Sequence, residues 1–205
     1  MFLQSPPALV LASTSSYRRA LLERLGLPFE CRAPGVDERT APGEAGEALV
    51  RRLALAKARA VAAQCPDAWV IGSDQAAALE EAGTETGTES LFGKPGTAER
   101  CREQLRRCSA RTVRYLTAVA LLRHRDGQHH EFLDVTQVRF RALDEATIER
   151  YVQAEGPLDC AGGFKSEGLG ISLCASIRSE DPTALIGLPL IGLAELLRSV
   201  GYCVP

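Results

Sequence analysis

Lysine is scarce in this 205-residue chain: of 24 basic residues only Lys57, Lys94 and Lys165 are lysines, and the other 21 are arginines. GC-rich coding explains such a skew wherever any surface cation serves. On that reading the three survivors are candidates for positions that need a compact ammonium. Net charge is also small, −2, which argues against a general nucleic-acid or anionic-membrane binder. No apolar run approaches the roughly 18 residues of a membrane span. The short run Ala8 to Ala12 has no cation ahead of it, the first being Arg18, so it reads as a buried strand rather than a signal core. The seven cysteines are odd in number and form no C-x-x-C pair. A reduced, cytosolic chain follows, with neither a disulfide framework nor a zinc site. Cys101 and Cys108, on an expected helix with Leu105 between them, read as small core residues. The three histidines, His124, His129 and His130, flank an expected turn at Asp126-Gly127 and lack metal-ligand spacing.

What is present is ordinary globular composition, 45% hydrophobic and 24% charged, at a length that suits one domain with its own core. Leu9 to Ala12 and Trp69 to Gly72 read as short buried strands. Helices are expected around Leu21, Leu22 and Leu25, over Glu44 to Gln64, from a Thr97 cap to Arg107, after an Asp144 cap, and over Pro189 to Val200. Residues 112–123 and 129–141 form a long antiparallel hairpin about Asp126-Gly127. Ala76 to Gly93 reads as an extended hairpin excursion, and Ile171 to Ser176 as a late strand. The mixture predicts an α/β domain with a central mixed sheet.

Three segments carry possible chemistry. Ser13-Thr14-Ser15-Ser16 leads from a buried strand into a helix whose first turn holds Arg18 and Arg19. Free amides and hydroxyls there favour an anion. Two cations at the positive end of a helix dipole make sense with an anion between them, although a serine cap with two solvated arginines accounts for them as well. Asp74 follows Val70-Ile71-Gly72-Ser73, at the end of a buried strand, where open α/β sheets place ligands; a turn-capping aspartate is the plainer reading. Val36-Asp37-Glu38 adds carboxylates and Gly93-Lys94-Pro95 a lysine in a turn. Lys57 sits at the edge of an apolar helix face, where a snorkelling lysine is the plain alternative. Together these are the parts of metal-assisted phosphate chemistry. The third segment, Cys160 to Gly168, is rich in small residues, and its Glu167 can accept two hydrogen bonds from a guanine edge; a flexible surface loop is the alternative. No Walker spacing occurs.

In order, Leu11-Ala12-Ser13-Thr14-Ser15 with Arg18-Arg19, Val36-Asp37-Glu38, Ile71-Gly72-Ser73-Asp74-Gln75, Gly93-Lys94-Pro95, the 161–168 run Ala-Gly-Gly-Phe-Lys-Ser-Glu-Gly and Gly187-Leu188-Pro189-Leu190 resemble the motifs of the Maf family of nucleotide pyrophosphatases. The resemblance spans essentially the whole chain. It implies a single Maf/ITPase-like α/β domain over residues 1–205, a central mixed sheet flanked by helices and a substrate cleft. Within the family the Gly-Ser-Asp-Gln and Phe-Lys-Ser-Glu-Gly forms resemble the YceF-type subgroup, which acts on 7-methyl-GTP. The resemblance makes Asp74 the proton acceptor. It assigns Ser13, Arg18, Arg19, Lys57 and Lys94 to the triphosphate, and Glu38 with Asp74 to a divalent Mg²⁺ or Mn²⁺. Tyr17 (where the subgroup often has Trp), Gln75 and Glu167 fall at its base-selecting positions. A cationic 7-methylguanine ring suits an aromatic face and a carboxylate. The implied partner is a small nucleotide in the cytoplasm, with no nucleic acid or membrane; a homodimer stays open. Alternatives are the same chemistry on dTTP, UTP or modified pyrimidines, and a non-catalytic nucleotide sensor of cell division.

Overall fold

A computed structural model describes residues 7–80 and 89–205. The apolar triplet β1 (Leu9–Leu11) lies in the sheet between parallel partners, β2 (Glu30–Cys31) and the start of β3 (Trp69–Glu80). Beyond β3 the pairing turns antiparallel, through β5 (Thr112–Arg123), β6 (His129–Phe140) and β7 (Cys174–Arg178). The order is β2-β1-β3-β5-β6-β7, with β4 (Glu89–Phe92) pairing only to the far end of β3. The mixed sheet of an α/β domain is therefore present, and the hairpin about Asp126-Gly127 is its long central arm.

Alternation along β3 assigns the helices to faces. Val70, Ala76 and Ala78 pack with Val50, Ala54, Ala58 and Val61 of α2 (Gly46–Ala62). On the other face Trp69 and Ile71 meet Leu21 and Leu22 of α1 (Ser16–Glu23) and Leu193 and Leu197 of α5 (Leu190–Ser199). Farther along, Ala77 and Leu79 meet Cys101 and Leu105 of α3 (Ala98–Cys108) and Ile148 and Val152 of α4 (Glu145–Glu155). Cys101 and Cys108 are thus core residues, and all seven cysteines are free. Ser15, Thr97 and Asp144 cap α1, α3 and α4 through side-chain oxygens.

Two elements differ from the sequence reading. The strand expected to stop at Gly72 runs on to Glu80 through Ser-Asp-Gln-Ala-Ala-Ala, a stretch poor in intrinsic strand formers. Antiparallel pairing with β5, unbroken from Trp69 to Ala78, imposes the conformation. The late strand begins at Cys174, not Ile171, because Leu169–Leu173 winds as a 3-10 turn that leaves Ile171 56% exposed. The expected excursion over 76–93 has its two arms in β3 and β4; positions 81–88 lie outside the described residues. Among the described residues no helix is long and apolar enough to cross a membrane.

Candidate active site

Strand pairing leaves a window. β1 pairs with β3 only as far as Ile71, and β4 joins only from Ala77. Between them, among the described residues, the β3 edge from Gly72 to Ala76 has no strand neighbour on that side, and this stretch carries Ser73, Asp74 and Gln75. Asp74 is therefore mid-strand rather than at a strand end. It is nonetheless open to ligand because its neighbouring strand has stopped, the circumstance that puts sites at switch points of α/β sheets.

Alternation sends Asp74 toward α2 and Gln75 toward the opposite face. Gly72 lets α2 come close: a Cβ there would lie 2.1 Å from the Ala54 carbonyl oxygen and 2.7 Å from the Ala58 nitrogen. That approach sets Lys57, on the same turn of α2, against Asp74. Its Nζ donates to Asp74 Oδ1 at 2.6 Å and pairs with Glu38 Oε1 at 2.7 Å. Lys57 is only 5% exposed, so it does not snorkel; it is a buried ammonium held by two carboxylates. Asp37 instead turns outward to Arg39.

The shared lysine leaves the two acids unlike. Burial raises the Asp74 pKa, Glu38 adds to the rise, and the attraction of Lys57 and Arg18 does not cancel it. Glu38 is half exposed. Desolvation pushes its pKa up, but the Lys57 contact and the charges of Lys94 and Arg18 bring it below the usual carboxylate value. Burial and the shared lysine thus push the two acids in opposite directions.

Arg18 extends from the first turn of α1, and its Nε donates to the Gly187 carbonyl at 2.8 Å, which also accepts from Ser73 Oγ at 3.1 Å. It lines the cleft beside Asp74 and Glu38 on one side and Tyr17 on the other. Lys94, exposed, and Gln75 also reach both parts. The part beyond Arg18 is walled by Tyr17, Gln75, Glu167, Asp159 and Cys160. There Gln75 Nε2 donates to Thr117 Oγ1 (2.9 Å) and to the carbonyls of Ala184 (2.9 Å) and Leu185 (3.2 Å). Since carbonyl oxygens only accept, the amide nitrogen is fixed on the scaffold and Oε1 is what Gln75 offers a ligand.

Arg19 and Ser13 are not brought to this cleft. Arg19 diverges from Arg18 and pairs with Glu23 one turn on, at 3.0 Å. Ser13 is buried and accepts from the Ser15 amide at 3.1 Å, supporting the turn; Ser15 is the hydroxyl that lines the cleft. Thr117, Asp159 and the Gly187 carbonyl are further site groups. Asp159 carried no signal of its own, whereas Gly187 belongs to an ordered motif and has φ +121°, which suits glycine.

Among the described residues no group of three or more His, Cys, Asp or Glu side chains is placed to hold a metal ion. Asp74 and Glu38 are hard oxygen donors converging on one point, the Lys57 ammonium. Two carboxylates are a donor set that suits Mg²⁺ when further oxygens complete it, so the residues fit a divalent ion.

Fold and site together define an α/β domain with a cleft that has a lysine–carboxylate end and an aromatic end. The chain belongs to the Maf family: residues 8–200 match that of the Maf-like proteins. It is 56% identical over 199 residues to the 7-methyl-GTP pyrophosphatase of Xanthomonas axonopodis pv. citri, covering 97% of this chain and 100% of that protein. It is 50% identical to the protein of that name from Nitrosococcus oceani, over 98% of this chain and 96% of the relative. Among solved structures it is similar to the Ham1 protein of Staphylococcus aureus, at 15% identity, 65% and 71% coverage of the two chains and a TM-score of 0.44.

Proposed function

We propose that this protein is a nucleoside triphosphate pyrophosphatase that hydrolyses 7-methyl-GTP to 7-methyl-GMP and diphosphate. The observation that carries the reading is that Gln75 and Glu167, beside Tyr17, both turn acceptor oxygens to the base pocket. Gln75 presents its oxygen, Glu167 is a carboxylate, and both line the same cleft as the Tyr17 ring. Guanine offers two adjacent donors, N1–H and the 2-amino group, whereas uracil and thymine offer one N–H between two carbonyls. A positively charged 7-methylguanine adds attraction to the tyrosine face and to the acids around it.

From that pocket the triphosphate would run past Arg18 and Lys94 toward Lys57. With Lys57 on its Oδ1, Asp74 keeps Oδ2 to accept a proton from the water that attacks the α-phosphorus, and diphosphate leaves. Arg18, Lys57 and Lys94 balance charge as it builds on the phosphate oxygens. Glu38 and Asp74 would hold a Mg²⁺ or Mn²⁺ ion, which supplies charge neutralisation and a more acidic water when bound. The free cysteines and the small nucleotide substrate support a cytoplasmic site of action.

A panel of 7-methyl-GTP, GTP, dTTP, UTP and ATP, assayed for diphosphate release with Mg²⁺ and with EDTA, tests the reading. It predicts the highest kcat/KM for 7-methyl-GTP and no turnover in EDTA. A preference for dTTP or UTP would assign a pyrimidine substrate instead, and binding without metal-stimulated turnover would make the protein a nucleotide sensor.

A further inference from the structure

Lys165 and Glu155 lie behind the base pocket without lining it. Lys165 Nζ pairs with Glu155 Oε1 at 2.8 Å and stands 5.8 Å from the centroid of the Tyr17 ring. The other carboxylate oxygen of Glu155 accepts from the Leu169 amide at 2.6 Å, and Tyr151 OH accepts from the Lys165 amide at 3.0 Å. Glu155 thus grips the loop on both sides of Glu167. The fit at Gly168 is tight, since a Cβ there would stand 2.4 Å from Glu155 Oε2. The Glu155 side chain is 11% exposed and that of Lys165 26%, so the pair lies in a partly solvated setting.

We propose that Glu155 is a specificity-positioning residue, cancelling the Lys165 charge beside Tyr17 so that the pocket accepts a cationic purine in preference to a neutral one. Charge placement carries the argument. Of the charged groups that line the pocket, Asp159 and Glu167 favour a positive ring, while Arg18 and Lys94 also border the lysine–carboxylate part. An uncompensated ammonium at the Tyr17 face would oppose that ring and compete for the same π surface. The inference rests on the 7-methyl-GTP reading above and concerns groups that touch the base only through Tyr17 and the Glu167 loop.

The test is the ratio of kcat/KM for 7-methyl-GTP to that for GTP in wild type, Glu155→Gln, Lys165→Met and the double variant, with melting temperatures as a folding control. Glu155→Gln leaves Lys165 uncompensated, and the ratio should fall by about fivefold, the order expected for one unit charge in a partly solvated pocket. Lys165→Met leaves Glu155 uncompensated and should raise the ratio. The double variant should return to within about twofold of wild type, since the charge beside Tyr17 is again zero. Collapse of the loop would instead lower the ratio in both single variants without recovery in the double, and that pattern overturns the proposal. So does a ratio that stays constant across the series in a protein that prefers 7-methyl-GTP. A wild type with no preference between the two nucleotides overturns the substrate reading itself, and the inference falls with it.

Discussion

Asp74 holds its carboxyl where burial opposes ionisation, and Lys57 only partly relieves the opposition. A group whose folded-state pKa lies above its unfolded value contributes stability while protonated and loses it as the pH rises through the folded-state value. Without metal or nucleotide, ionised Asp74 therefore costs stability at neutral pH. Asp74→Asn should abolish turnover yet melt no lower than wild type at pH 7 in EDTA. The difference between the two should shrink as pH falls through the ordinary carboxylate range. Thermal melts at several pH values check this, and a variant that melts much lower at pH 7 would mean the Lys57 pairing outweighs desolvation. The sequence places Asp74, Glu38 and Lys57 together only through ordered motifs. Nothing in the local pattern around Lys57 distinguishes a snorkelling lysine from a buried one, because that depends on two carboxylates distant in the chain. Arg19 illustrates the converse: it is adjacent to Arg18 in sequence, but one helical step of about 100° turns it to solvent and Glu23.

At the scale of elements, the contact of α2 with β3 sets the catalytic geometry, and Gly72 sets that contact. In Gly72→Ala the added methyl meets backbone atoms of α2, which cannot rotate aside. The helix must retreat and carry Lys57 away from Asp74. A loss of about 1–3 kcal/mol of stability is expected from such overpacking. The fall in kcat should exceed any rise in KM, since the displaced groups are proposed to serve the reacting phosphorus rather than the base. Denaturant titration and steady-state kinetics measure both; a variant with wild-type kinetics would show that the Lys57–Asp74 distance is not controlled here. Helix periodicity and the Asp126-Gly127 turn made most elements readable from sequence. The extension of β3 was not readable, since Ser73 to Ala78 becomes strand through its long-range pairing with β5. The start of β7 was hidden for a related reason: Ile171 and Leu173 look like strand residues, but Glu155 ties that stretch into a turn.

Over the whole molecule, the sheet separates two kinds of chemistry. Its α2 face holds the carboxylate–lysine centre and its opposite face the base pocket, and the gap between β1 and β4 joins them. Arg18, Lys94 and Gln75 stand where the two parts meet. The division also accounts for the scarce lysines: Lys57 is a buried ammonium between two acids, Lys94 lies at the junction, and Lys165 is paired behind Tyr17. Motif order pointed to Arg18, Glu38, Asp74, Gln75, Lys94 and Glu167, which line the cleft, and also to Ser13 and Arg19, which do not. The division of labour across the sheet, and the fixed orientation of Gln75, follow from cross-strand register and were beyond a linear reading. On the proposed mechanism, water activated at Asp74 attacks the α-phosphorus. Hydrolysis of 7-methyl-GTP in ¹⁸O-labelled water, with both products weighed by mass spectrometry, reads out the attacked phosphorus. Label should enter 7-methyl-GMP and not diphosphate; label in diphosphate, or release of orthophosphate, would overturn attack at the α-phosphorus.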